Sequence, residues 1–172
     1  AVKRVQDVIR IFSEVHKRIP SKLILIGDGP DRSLCEMLCR ELDIHEDVKF
    51  LGKQAEIVDL LSAADLFLMP SQSESFGLSA LEAMACGVPV ISTSVGGLPE
   101  LNIHNQTGYI AEIGDIERMA RYAVDLLTNA NKHKAFSEAA RTRAIEFNQD
   151  KIVSMYERYY QKVLYGTEVP SP

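Results

Sequence analysis

The strongest constraint on this chain is an alternation of short apolar runs with helical stripes. Five runs, KLILIG (22–27), VKFLG (48–52), LFLMPS (66–71), PVIST (89–93) and GYIAE (108–112), are separated by segments whose apolar residues recur at helical spacing. Strands divided by helices of about ten residues need crossover connections, and crossovers give a parallel sheet with helices on both faces. The predicted fold is therefore α/β, a doubly wound, Rossmann-like parallel sheet. KLILIG is continuously apolar and ends at Gly27, as expected of a strand covered on both faces. The first helix carries Val5, Val8, Ile9, Phe12, Val15 and Ile19 and is predicted to run to Pro20; the second carries Leu34, Leu38 and Leu42. A third surrounds Ile57, Leu60 and Leu61, and LSALEAMACG forms a fourth that ends at Gly87. From Asp115 onward only helices follow. In the last of them Tyr156, Tyr159, Tyr160 and Val163 do not fit one narrow stripe, so part of this set needs a second surface to cover it. GTEVPSP, after Tyr165, has no apolar period and is expected to fray.

The 172 residues are enough for one core. A domain of this size buries roughly 70% of the surface its unfolded chain exposes and needs no disulfide or metal staple. Cys35, Cys39 and Cys86 are odd in number and lie in helical or apolar surroundings, which suits reduced thiols in a cytoplasmic protein. Cys35 and Cys39 are four apart, yet no further Cys or His at ligand spacing completes a zinc site. The net charge of -5, with no basic cluster longer than Lys3-Arg4, argues against a nucleic-acid or membrane-surface binder, both of which need a positive stripe. No apolar stretch is long enough to span a bilayer. The chain opens without Met inside a charged helix, as expected of a piece of something longer.

In a doubly wound sheet, ligands bind where strands end and helices begin. The first such junction, GDGPDR (27–32), is not a dinucleotide fingerprint, because Arg32 stands where the third glycine belongs, and a nicotinamide cofactor is disfavoured. Gly27 and Gly29 serve either a tight turn opened into the helix by Pro30 or a close approach of backbone to ligand. The richest junction is MPSQSESFGLSALEAMACGVPVIST. Gly77 sits at the start of a helix, so the free N–H groups of Gly77 and Leu78 point outward with the positive end of the helix dipole behind them, an arrangement that binds phosphate without a basic side chain. Glu74 precedes that helix and Glu82 lies more than one turn inside it; each carboxylate offers two acceptors to the vicinal hydroxyls of a sugar. The dipole alone also favours Glu near a helix start, and Glu82 also fits a solvated charge. Lys3 is a candidate phosphate contact, equally readable as a solvated lysine. Gly96 and Gly97 in SVGGLPEL repeat the pattern of a backbone-lined turn before a short helix. His16, His45, His104 and His133 have no Ser or Cys placed as a nucleophile partner, and no Asp-x-Asp pair is present to hold a divalent ion.

These segments resemble the C-terminal, nucleotide-sugar-binding domain of the family 4 retaining glycosyltransferases, enzymes of two-domain GT-B architecture. The resemblance rests on the E-x7-E pattern ESFGLSALE, on EAMACGVPVISTSVGGLPEL after it, and on GDGP and VKFLGK, which together cover most of the chain. It implies a donor-binding domain over residues 1–165, with 166–172 as a tail. It implies further that Glu74 holds hydroxyls of the donor sugar, that Glu82 holds the ribose diol, that the backbone from Ser75 through Phe76 and Gly77 to Leu78 meets sugar and diphosphate, and that Lys3 matches the family's phosphate-binding lysine. KRVQDVI and FNQDKIVSMYERYY resemble one branch of the family, implying UDP-N-acetylglucosamine as donor and L-malate as acceptor. The family's partner arginine, its first strand and the acceptor-binding domain would all precede residue 1, so this chain alone is expected to bind donor weakly and transfer nothing. No metal is expected: the charge on the leaving diphosphate would be met by the helix start at Gly77 and by Lys3. Two rival readings remain, a nucleotide-sugar epimerase of similar build and a binding module that senses nucleotide sugars.

Overall fold

The computed structural model describes residues 2–166. All five predicted strands form: β1 (Leu23–Ile26), β2 (Val48–Gly52), β3 (Phe67–Met69), β4 (Val90–Thr93) and β5 (Gly108–Ala111). Every ladder between them is parallel, as crossover connections require. They make two sheets, β1 with β2, and β3-β4-β5 in that order. Helix α1 (Val5–His16) joins them. Its Ile9 and Phe12 pack with Cys35, Cys39 and Val48 beside the first sheet, while Ile11 and Val15 pack with Ile91, Tyr109 and Met119 on the second. One helix thus roofs both sheets, and the spatial order runs 2-1, a break, then 3-4-5.

Helices cover both faces of the three-stranded sheet. All four residues of β4 are buried, and because neighbours on a strand point to opposite faces, Val90 and Ile91 enter different cores. Val90 packs with Ala80, Ala83 and Met84 of α4 (Leu78–Ala85), with Leu98 and Leu101 of α5 (Leu98–Leu101), and with Ala140 and Ala144 of α7 (Ala130–Ile145). Ile91 packs on the opposite side with α1 and with Met119, Ala120, Ala123 and Leu126 of α6 (Ile116–Thr128).

Three local expectations need correction. β1 is covered on one face only: Leu23 and Leu25 lie under α1 and α2 (Arg32–Glu41), while Ile24 and Ile26 are 48% and 40% exposed. The physical reason is the break, since α3 (Val58–Ser62) and α4 pack against β3 and β4 and leave the second face of β1 bare. On α2 the buried stripe is Cys35 and Cys39, flanked by Leu38 and Leu42, and Leu34 faces solvent. Small thiols let α2 approach α1 closely, and burial pushes both thiol pKa values up, so they stay protonated and inert. Finally, α1 ends at His16, three residues before Ile19, and α2 begins at Arg32, two residues after Pro30. The last helix, α8 (Gln149–Tyr165), starts at an Asn148 cap whose side chain accepts the N–H groups of Asp150 and Lys151. The tail lies, from residue 167 on, outside the described residues. Among the described residues no helix is long and apolar enough to cross a membrane.

Candidate functional site

The loop between β3 and α4 is built by close backbone packing. Ser71 is buried and its carbonyl accepts the Thr93 hydroxyl at 2.6 Å, which pins the end of β3 to the end of β4. The residues that follow, Glu74 to Phe76, are seated on the second glycine turn. A Cβ on Gly96 would stand 1.5 Å from the Glu74 carbonyl oxygen, and one on Gly97 would stand 3.0 Å from both Phe76 Cα and the Ser75 oxygen. The Gly97 N–H donates to the Ser75 carbonyl at 3.1 Å. Gly96 and Gly97 are therefore required by a chain-to-chain approach, whatever else lies near them. Gly77 caps α4 at φ 97°, and a Cβ there would meet Leu98 Cδ2 at 2.6 Å. Its two demands, a left-handed backbone and no side chain, are both met within the protein.

On this platform the structure brings together two of the predicted side chains. The Lys3 ammonium pairs with the Glu74 carboxylate across 71 residues of sequence. Glu74 is mostly covered, with 11% of its side chain exposed, whereas Lys3 stays open to solvent at 59%. The α4 N-terminus has no side-chain cap, so its first N–H groups remain free for a ligand. Glu82 lies on α4, exposed, and among the described residues makes no ion pair or side-chain hydrogen bond. Ser75 and Leu78 are also exposed, and the Phe76 ring turns inward with its edge on Phe147, ring centroids 5.5 Å apart. Gly27 and Gly29 end β1 on the other sheet with open space where a Cβ would go, which leaves room for close approach of a ligand. Between the ends of β1 and β3 a cleft of ≈ 220 Å³ opens, lined by Arg4, Asp7, Arg10, Asp31 and Gln72 among others.

Several residues that shape the site carry no strong local signal. Asn102, fully buried, donates to the carbonyls of Val90 at 3.1 Å and Tyr109 at 3.0 Å and accepts from the Thr107 hydroxyl at 3.1 Å, locking α5 to the strands beneath it. Arg143 of α7 reaches the Glu100 carbonyl at the end of α5 and lies over the Phe147 ring at 4.9 Å. Thus α7 braces both the glycine turn and Phe76. Three of the four histidines are fasteners: His16 faces Asp47 at 3.2 Å, His104 Nδ1 accepts from the Ile110 N–H, and His133 contacts the Asp65 carbonyl.

A parallel α/β domain with a cation and a carboxylate meeting beside an uncapped helix start at the C-terminal strand ends has the architecture of the doubly wound class, whose ligands bind at that edge. The chain belongs to the Glycosyl transferases group 1 family, which matches residues 1–143. It is 47% identical over 164 residues to the N-acetyl-alpha-D-glucosaminyl L-malate synthase of Bacillus anthracis, covering 95% of this chain and 43% of that protein. It is 33% identical over 133 residues, 72% of this chain and 34% of the relative, to a GDP-mannose-dependent phosphatidylinositol monomannoside mannosyltransferase of Corynebacterium glutamicum. The chain therefore spans less than half the length of these relatives. Among solved structures, Staphylococcus aureus TarM superposes with a TM-score of 0.87 at 24% identity over 91% of this chain and 32% of TarM, a likeness of fold. Anabaena Alr3699/HepE, solved with UDP and glucose, superposes with a TM-score of 0.81 at 25% identity over 94% of this chain and 45% of HepE.

Proposed function

We propose that this chain is the donor-binding domain of a cytoplasmic retaining glycosyltransferase that uses UDP-N-acetylglucosamine as donor and L-malate as acceptor, in bacillithiol biosynthesis. The observation that carries this reading is the pairing of Lys3 with Glu74 directly before the uncapped start of α4. The relative's name supports the substrates, and the HepE complex supports UDP as the nucleotide. The diphosphate of the donor lies against the free N–H groups of Gly77 and Leu78 and takes the exposed Lys3 ammonium; Glu74 turns its oxygens to sugar hydroxyls and Glu82 takes the ribose diol. As the glycosidic bond breaks, negative charge grows on the diphosphate, where the fixed helix dipole and the ammonium already point, so little reorganisation opposes the step. No protein-held metal has a part in this scheme. The acceptor is held by a second domain, and proximity of acceptor to donor supplies the rest of the rate.

The test is calorimetric titration of UDP into the intact protein and its Glu82→Ala variant. Loss of a carboxylate that accepts two hydroxyls should weaken binding by about 1 to 3 kcal/mol. Equal affinity would remove Glu82 from the site. Incubation with UDP-N-acetylglucosamine and L-malate should release UDP and form the malate glycoside; a free sugar isomer instead would identify an epimerase.

A further inference from the structure

Lys3 is flanked by two backbone anchors. On one side the Val2 carbonyl accepts the N–H of Gln72, two residues before Glu74, at 2.8 Å. On the other, Arg4 adopts a left-handed conformation, φ 49° and ψ 46°, at the start of α1. Residues with a Cβ avoid that region, and the other two non-glycine residues found there among the described residues are Asp43 and Asn105, whose short polar side chains tolerate it. Arginine has no such excuse, so side-chain and backbone contacts must hold it. They come from Asp7, only 6% exposed, whose Oδ2 accepts Arg4 Nε at 2.5 Å while Oδ1 takes Arg10 Nη1 at 3.4 Å. The Asp7 N–H also donates to the Arg4 carbonyl at 2.8 Å, closing the turn from the backbone side. A buried carboxylate needs polar partners, and Asp7 has two in the guanidinium groups of Arg4 and Arg10.

We propose that Asp7 is the positioning residue for Lys3: by gripping the Arg4 guanidinium it holds Arg4 left-handed, and the left-handed turn aims the Lys3 side chain at Glu74. Its meaning for donor binding rests on the reading of Lys3 as the diphosphate contact, whereas the aiming of Lys3 can be read without nucleotide.

The experiment compares Asp7→Asn, Arg4→Ala, Arg4→Gly and the pair Arg4→Gly with Asp7→Asn in the intact protein. Lysines are 13C-methylated, the Lys3 signal is assigned by its loss in Lys3→Arg, and its position away from Glu74 is set by Glu74→Gln. Arg4→Ala and Arg4→Gly leave Asp7 equally short of one partner, so a difference between them reports the backbone alone. Asp7→Asn and Arg4→Ala are expected to move the Lys3 signal to its Glu74→Gln position and to weaken UDP roughly tenfold, the scale of one charge-assisted contact. Arg4→Gly is expected to keep both within about twofold, and Asp7→Asn to add nothing in the Arg4→Gly background. Equal damage from Arg4→Ala and Arg4→Gly, or a Lys3 signal unmoved in Asp7→Asn, overturns the proposal. If Asp7→Asn does not fold, the two Arg4 variants decide the matter. If UDP fails to bind the unaltered protein, the functional reading falls while the Lys3 signal still decides the positioning.

Discussion

Helices α7 and α8 are neighbours of nearly equal length, 16 and 17 residues, and they use apolar side chains in opposite ways. α7 is poor in large apolar residues, yet Phe136, Ala140 and Ala144 are buried, and polar contacts fasten it at both ends: Lys132 to Asp125 at 2.8 Å, His133 to the Asp65 carbonyl at 2.7 Å, Arg143 to the Glu100 carbonyl. α8 is far richer in large apolar residues and buries none. Met155, Tyr156, Tyr159, Tyr160, Val163, Leu164 and Tyr165 are each more than half exposed. The contrast teaches that apolar content measures the capacity to be buried, whereas contact is decided by shape. Ala140 and Ala144 let α7 approach Ala80 and Ala83 of α4 closely, and only small side chains permit that. Among the described residues nothing of this domain covers Tyr156, Tyr159 and Tyr160, so the aromatic set of α8 is not buried on the domain's own sheet.

The largest effect should come from Phe136→Ala, which empties a buried site between α7 and β5 and should cost about 3–5 kcal/mol in denaturant unfolding. A cost under about 1 kcal/mol would mean that α7 is held by its polar ends alone. Phe147→Ala tests whether α7 supports the site: losing the Phe76 edge contact should destabilise by about 1–3 kcal/mol and should also weaken nucleotide binding. Unchanged binding would separate the brace from the site. Asp125→Asn probes the polar end of α7. The Lys132 hydrogen bond, then that of Tyr109, lowers the Asp125 pKa, and the same Asp125 contact raises that of Lys132. A lowered carboxylate pKa stabilises the native state above the ordinary carboxylate range and loses that effect as pH falls through the lowered value; a raised lysine pKa stabilises below the ordinary lysine range and loses the effect as pH rises through the raised value. The stability gap between the unaltered protein and Asp125→Asn should thus be widest between roughly pH 4 and pH 10 and close toward both ends. A gap that widens in acid would contradict the pairing. The smallest effect belongs to Tyr159→Ser with Val163→Ser on α8, expected within about 0.5 kcal/mol because both side chains are more than half exposed. A cooperative loss of several kcal/mol would show that α8 does pack on this domain.

Much of the scaffold was legible because its signals are local. Strand and helix periods reveal themselves within a few residues, which is why β1 to β5 and the start of α4 at Gly77 were read correctly from one chain. The stripe on α2 was misplaced because leucine is a louder signal than cysteine, and the packing of two helices preferred the smaller side chain. In the candidate site, the E-x7-E spacing and the glycines were visible, but their reasons were mixed. Gly96 and Gly97 read as a ligand turn, and the structure shows the Glu74 to Phe76 backbone occupying the space that their side chains would need.

By itself, then, the sequence determined the order of elements, the parallel connectivity, the family, and the residue types gathered at the strand ends, since each depends on periodicity or spacing within one stretch of chain. Tertiary structure alone decided that the strands divide into two sheets, that Lys3 meets Glu74, and that α7 packs where the more apolar α8 does not. These outcomes hinge on whether segments tens of residues apart can approach within a few ångströms, and such an approach is set by the volumes and charges of both partners at once, which no local pattern in either segment contains.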